Sequence, residues 1–303
     1  MSLATALLLA MILDALFGEP EWLWSRIPHP AILMGRVIDY MDKRFNRGTG
    51  RRMRGTLVFI NLIMAAFLGG LLLAYVPGRW IDIVICAVLL AQKSLTTHVR
   101  AVADALRLSV GDGRRTVAMI VGRDTDGMPA PAIARSAIES AAENQSDGVI
   151  APAFWFLVGG LPGLLIYKIT NTADSMIGYK TGRHLEFGWA AARFDDLLNL
   201  IPARLTALFI WITAPHCGGY VAIRDDAALH RSPNAGWPES AMARVLNVAL
   251  SGPRTYHGRL RNYPYVNTTG QHDIGPDAID AAVQTLWRSW AVAFGVVLMV
   301  MIF

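Results

Sequence analysis

Three groups of acidic residues have spacings that suit oxygen-ligand chemistry. In "VGRDTDGMP", Asp124 and Asp126 form a D-x-D pair close enough to share one divalent ion, although D-T-D also occurs in plain turns. In "MPAPAIARSAIESAAENQSDG", Arg135, Glu139, Glu143 and Asp147 recur every fourth residue. Each step of four advances about 40° around a helix, so they make one winding stripe. A solvated salt-bridged face would look similar, but only Arg135 stands in line to neutralise three carboxylates, and the excess predicts a further cation. In "AARFDDLLNLIPARL", Asp195 and Asn199 are i, i+4, and Asp196 and Asn199 are i, i+3. Two adjacent carboxylates beside an apolar segment are costly unless paired or metal-bound.

"YKITNTADSMIGYK" links these groups. Lys168, Asn171 and Asp174 recur every third residue between Ile169, Ala173, Met176 and Ile177, which predicts a helix with one polar stripe. Oxygen ligands of this kind suit Mg²⁺, which takes one or two carboxylates and keeps room for water and phosphate. Lys168, Arg193 and Arg204 are candidates to hold phosphate oxygens or a carboxylate. The combination predicts phosphoryl-group chemistry at a membrane surface.

Composition says what must position these residues. Hydrophobic residues make up 53% of the 303 and charged residues 17%, well below the ~25% of a soluble domain. With a mean hydropathy of +0.37, the chain reads as membrane helices joined to substantial aqueous segments. Helical periodicity dominates, so the fold class is all-α: a polytopic integral membrane protein with re-entrant or kinked helices and a polar site facing the cytoplasm. The whole chain, 1–303, reads as one membrane-embedded domain. Its motif core is 120–205, followed by a loop-rich polar segment at 216–285 and an apolar C-terminal helix at 286–303.

The best span is Gly55 to Gly78, bounded by Arg54 and Arg79, with a return from Trp80 to about Thr97. Weaker candidates are Met1 to Phe17, Leu197 to Pro215 and Ser289 to Phe303. The uncharged run Gly148 to Tyr167 is interrupted by "GGLPG", which predicts a kinked or re-entrant element buried in protein. Six basic residues between Lys43 and Arg54 place that loop in the cytoplasm. They abut a span and lack interleaved aromatics, which argues against a nucleic-acid patch. The first thirteen residues lack a basic lead and a cleavage site, so a cleaved signal peptide is not expected. Cys86 and Cys217 suggest no disulfide framework.

Other signals are blander. His29 in "RIPHPAILMGR" either shapes a Pro-bounded turn or contacts substrate. His98, His184, His216, His230, His257 and His272 lack metal-ligand spacing, and no Gly-rich phosphate loop is present. Trp22, Trp24, Trp155, Trp189 and Trp237 suit interfacial anchors.

The stretches "RDTDGM", "ARSAIESAAENQSDGVIAPAFW", "GGLPGLLIYKITNTADSMIGYK", "FGWAAARFDDLLNLIPARLTA" and "HRSPNAGWPESAMA", with the opening "FGEPEWLWSRIPHPAILMGRVI", resemble the integral membrane synthase of cobalamin biosynthesis, the CobD/CbiB family. The likeness runs in order from about Leu13 to Gly252 and is looser beyond. One departure is Gln145 and Ser146, where a more apolar pair is expected.

The resemblance implies an ATP-dependent amide ligase of the inner cell membrane, with ATP and Mg²⁺ as cofactors. It would join adenosylcobyric acid to (R)-1-amino-2-propanol or its O-phosphate. The implied partners are these substrates, membrane lipid and other cobalamin-pathway enzymes, with no nucleic acid. On the matched motifs, Asp124, Asp126, Asp174, Asp195 and Asp196 are expected at metal and phosphate. Glu139, Glu143 and Lys168 are the catalytic candidates, with either glutamate as base. Asn144, Asn171, Arg193 and Asn199 are expected to hold substrate or nucleotide, and His29, Arg36, Ser232 and Asn234 the corrinoid or aminopropanol side. A Mg²⁺-dependent membrane prenyltransferase is the alternative, through "NTADS" and "FDDLLN", with a corrinoid transporter behind it.

Overall fold

The computed structural model describes residues 1–215, 219–256 and 258–303; His216, Cys217 and His257 lie outside the described residues. In chain order the first helices are α1 (Leu3–Phe17), α2 (Glu21–Trp24), α3 (Pro30–Phe45), α4 (Arg51–Ala74) and α5 (Trp80–Leu89). Then come α6 (Gln92–Leu108), α7 (Val110–Val117), α8 (Ala130–Gln145), a π turn at Ser146–Ile150, and α9 (Ala151–Ile177). The remainder holds α10 (Trp189–Leu198), α11 (Leu200–Ile212), α12 (Tyr220–Ala227), α13 (Gly236–Val245) and α14 (Pro276–Ile302). Four short strands separate α13 from α14: β1 (Leu250–Ser251), β2 (Arg254–Tyr256), β3 (Arg259–Arg261) and β4 (Tyr265–Val266). They form two antiparallel pairs, β1 with β4 and β2 with β3.

Four helical runs are long and apolar enough to cross a membrane: Arg51–Ala74, Trp80–Leu108, Ala130–Ile177 and Pro276–Ile302. The protein is therefore a largely helical, polytopic membrane protein. The expected span and its return coincide with the first two runs. The C-terminal helix is longer than the sequence suggests, because α14 starts at Pro276, just after Gly275, and includes the polar turns before the apolar tail. The segment taken as loop-rich consequently holds α12, α13 and the first turns of α14. Gly148 lies inside the helical run from α8 to α9. It sits in the π turn between buried Val149, Ile150 and Ser146, whose packing outweighs the weak helix preference of a single glycine.

The chain forms two compact units, one of residues 1–91, 151–200 and 297–303, the other of 92–150 and 201–296. In the first unit, Phe59 and Leu62 of α4 pack with Ile169, Ala173 and Ile177 of α9 and with Ile38 of α3. The "GGLPG" break is real: Gly160 has φ 60° and ψ −149°, and Pro162 follows inside the helix. Only glycine adopts that backbone without strain, and proline supplies no N–H to the turn before it. In the second unit, Ile133, Ala137, Ile138 and Ala141 of α8 are fully buried among α6, α13, α14 and β1. Gln145 belongs here. It is fully buried and donates to Ser289 Oγ at 3.3 Å, which explains a polar residue where an apolar one was expected.

Lipid-buried helices gain little from apolar contact and rely on close approach. At Gly70 of α4 an added Cβ would stand 2.5 Å from Pro162 Cα, whereas at Gly69 it would meet nothing within 4 Å. Gly70→Ala is therefore expected to cost about 1–3 kcal/mol, and Gly69→Ala to be neutral or stabilising. Thermal unfolding of both variants in one micelle system checks this pair.

Candidate functional site

The second unit builds its polar centre around Glu139. This residue lies on α8 among alanines that bring neighbouring backbone close, and it is 1% exposed. Arg123 Nη2 reaches Oε2 at 2.5 Å, Arg254 Nη1 stands 3.3 Å from the same oxygen, and Ser251 N–H donates to Oε1 at 2.7 Å. Ser251 achieves this with φ 63°, a strained backbone for a non-glycine residue. The cation demanded by the acidic stripe is thus arginine, supplied by the loop before α8 and by β2. Arg135 does not serve it: its guanidinium donates to Ala249 O and His272 O and lies 5.2 Å over Tyr265.

Beside this anchor lies a cavity of about 170 Å³ lined by Arg123, Asp124, Asp126, Arg135, Ser251 and Arg254, among others. Asp124 is tied to the β2–β3 turn, accepting from Gly258 N–H at 2.7 Å, while Asp126 is exposed. Glu143, one turn beyond Glu139, is exposed, and Asn144 donates to Ser140 O at 2.9 Å. On the adjoining segment, Ser232 Oγ accepts from Asn234 and Ala235 N–H at 3.2 Å each, closing the turn into α13. Asn234 is buried and accepts from Arg204 Nη1 at 3.4 Å, and Arg204 lies 4.6 Å over Trp237.

Glu239 and His230 are site residues that the sequence alone did not single out. His230 Nδ1 accepts Ser232 N–H at 3.1 Å, which turns Nε2 towards Glu239 Oε1, 3.6 Å away. Burial, then the charges of Glu139 and Glu143, push the Glu239 carboxyl well above the usual range. Burial pushes the His230 imidazole down. Both shifts favour the uncharged form of each partner.

The first unit holds the other acidic group. On α10, Asn199 Nδ2 donates to Asp195 Oδ2 at 3.0 Å, and Tyr167 of α9 donates to Asn199 Oδ1 at 3.1 Å. The expected i, i+4 pairing is thus present. The Asp195 carboxyl is buried. Burial and then the Asp174 charge raise it to about 7, against the lowering effects of hydrogen bonds from Asn199 and Asn171. Asp174 folds back over the end of α9, where Gly178 has no side chain to block it: a Cβ there would lie 1.9 Å from Asp174 Oδ1. Asn171 and Lys168, half-buried, share that helix. Asp196 faces outward with Arg193, 3.5 Å from it.

The two carboxylates at Asp195 and Asp174 are oxygen ligands of the kind a hard divalent cation takes, while Asn199 gives Asp195 its N–H and Tyr167 its oxygen. No group of three or more His, Cys, Asp or Glu residues is placed to hold a metal among the described residues. The five aspartates read as metal ligands divide between the units, Asp124 and Asp126 in one and Asp174, Asp195 and Asp196 in the other. His29 caps α3: Nδ1 accepts Ala31 N–H at 3.2 Å, leaving Nε2–H to donate to Val88 O at 3.1 Å. Both ring nitrogens are thus engaged in shaping the turn. Arg36 is exposed on α3.

Fold and site define a class: a polytopic helical membrane protein with buried carboxylates organised by arginine and amide partners. A family model described as "CobD/Cbib protein" matches residues 7–286. The chain is 47% identical over 308 residues to the "Cobalamin biosynthesis protein CobD" of Brucella anthropi, covering 96% of this chain and 94% of that protein. It is 46% identical over 279 residues to the protein so named in Rhodobacter capsulatus, covering 89% and 88%. No solved structure matches. The chain belongs to the CobD/CbiB family of cobalamin biosynthesis.

The Asp195 environment sets a pH dependence. An acid whose folded pKa is raised holds its proton where the unfolded chain, with a value near 3.8, has released it. Stability is therefore lost as pH rises from about 4 to about 7. Asp195→Asn should match the wild type near pH 4 in chelator-containing buffer, and exceed it by up to about 4 kcal/mol at pH 8. Thermal unfolding across that range, for both proteins, measures the difference.

Proposed function

We propose that this protein is an ATP-dependent acid–amine ligase that forms the amide between adenosylcobyric acid and (R)-1-amino-2-propanol or its O-phosphate. The single observation that carries the chemistry is the Asp195 carboxyl, buried beside a second acid and two amide side chains and raised to about 7. An uncompensated position of that kind is retained where a cation completes it. Family membership supplies the pathway in which to look for the reaction.

A carboxylate is a poor electrophile, so amide formation in water requires activation, most simply as an acyl phosphate. Asp174 and Asp195 would hold Mg²⁺, with Asn171 and Asn199 fixing the Asp195 carboxylate. When bound, that ion supplies positive charge to the phosphoryl group in transfer. Lys168 on the same face of α9 would hold the transferring oxygens.

In the second unit, Arg123, Arg135 and Arg254 give the 170 Å³ cavity a cationic lining suited to an anionic substrate group. The amine must lose a proton before it attacks. Glu139 already accepts from Arg123 and a backbone N–H and is ion-paired with Arg254, so Glu143, exposed one turn further on, is the better base. We place both polar regions on the cytoplasmic side of the inner membrane, in line with the basic Lys43–Arg54 loop and the need for ATP.

Cells lacking the protein should accumulate cobyric acid and stop making complete cobalamin. Cobinamide, the product of the missing step, should restore synthesis and cobyric acid should not. Rescue by cobyric acid would end the ligase reading. With purified protein, Asp195→Asn should lower corrinoid-dependent ATP turnover by at least ~100-fold without lowering the unfolding midpoint. Glu143→Gln should lower turnover while leaving ATP and corrinoid binding intact, and normal turnover in that variant would move the base elsewhere.

A further inference from the structure

Helix α3 carries an apolar face that nothing in its own unit covers. Ile38 and Asp42 point inward, Asp42 accepting from Arg183 at 2.6 Å and from Asn46 at 2.8 Å. On the other side Leu33, Val37 and Tyr40 follow at i, i+4 and i+7, with exposures of 46%, 44% and 62%. Arg44 continues the stripe. Sixteen residues make a helix about 24 Å long, short of the ~30 Å hydrocarbon core, and α3 is not among the four crossing runs. It leads within five residues into α4, which does qualify.

The charges at that junction are unevenly matched. Asp39 is taken by Lys43 at 2.6 Å, Asp42 by Arg183 at 2.6 Å and Glu186 by Arg51 at 3.4 Å. Arg44, Arg47 and Arg52 have no carboxylate within 4 Å among the described residues. Carbonyls and rings orient them without cancelling their charge. Arg47 Nε donates to Lys43 O at 2.8 Å, Arg52 lies 3.8 Å over the Trp189 ring, and Arg44 lies 5.5 Å over Phe45. A helix with an exposed apolar stripe and cations beside it lies in the plane of a membrane interface. Held guanidiniums there suit phosphate, and clusters of this size beside a span attract anionic headgroups.

We propose that α3 is an interfacial helix and that Arg44, Arg47 and Arg52 form a binding site for anionic phospholipid headgroups, with Leu33, Val37 and Tyr40 resting on the acyl chains. The site is independent of the ligase reading, because none of these residues belongs to either acidic group.

The test is thermal unfolding of the full chain in nanodiscs of phosphatidylglycerol and of phosphatidylcholine. The wild type should unfold about 3 °C or more higher in phosphatidylglycerol, and 0.5 M salt should shrink the gap because exposed charges are screened. Arg44→Gln, Arg47→Gln and Arg52→Gln combined should abolish it. A control with equal charge loss elsewhere, Arg100→Gln, Arg115→Gln and Arg288→Gln, should retain it. Inorganic phosphate added to phosphatidylcholine discs should not reproduce it. Equal wild-type midpoints in the two lipids, an undiminished gap in the first triple variant, or full reproduction by phosphate would each overturn the proposal. If the first variant fails to fold, the wild-type lipid and salt comparison decides.

Discussion

A buried carboxylate has to be compensated, and much of the second unit is arranged around compensating Glu139. Removing such an ion from water costs several kcal/mol, recovered only by close partners with good geometry. Those partners come from the loop before α8 and from the strands beyond α13, two segments far apart in sequence. Arg123 and Arg254 also line the cavity, so the group that stabilises the carboxylate shapes the site as well. The strained Ser251 backbone is held by this arrangement, since its N–H is directed at Glu139 Oε1.

The two acidic groups use opposite solutions to one problem. Glu139 gathers guanidiniums around its carboxylate. Asp195 sits with another acid and an amide donor, and its proton persists to about pH 7. The first arrangement is already satisfied and suits an anchor. The second packs two acids together and suits a centre completed by a ligand. Glu239 and His230 give a third solution, a buried pair whose surroundings favour the uncharged form of each.

The local parts of this design were legible in the sequence. Charge-free length marked the α4 span, "GGLPG" marked the break at Gly160, and i, i+4 spacing marked the Asp195–Asn199 contact. The excess of acid on α8 correctly called for a cation, but its source was hidden. Arg254 lies 115 residues from Glu139, in a segment whose composition reads as loop, and no periodic pattern connects them. Glu239 and His230 were missed for a similar reason: nine residues apart across a turn, they meet only because Ser232 closes that turn onto α13. His29 shows the converse. Its prolines advertise a special site, and its ring nitrogens cap α3 and tie it to Val88 O of α5.

The most direct test of this account is a double-mutant cycle on Glu139 and Arg254. Glu139→Gln, Arg254→Gln and the double variant would be compared for unfolding free energy and for corrinoid-dependent ATP turnover. If the carboxylate is the anchor, Glu139→Gln leaves Arg123 and Arg254 facing no carboxylate and costs about 3 kcal/mol or more, whereas Arg254→Gln leaves Glu139 with Arg123 and costs less. The double change should then cost no more than Glu139→Gln alone, with turnover lost in all three. Additive stability losses, or a Glu139→Gln protein with wild-type turnover, would contradict the account.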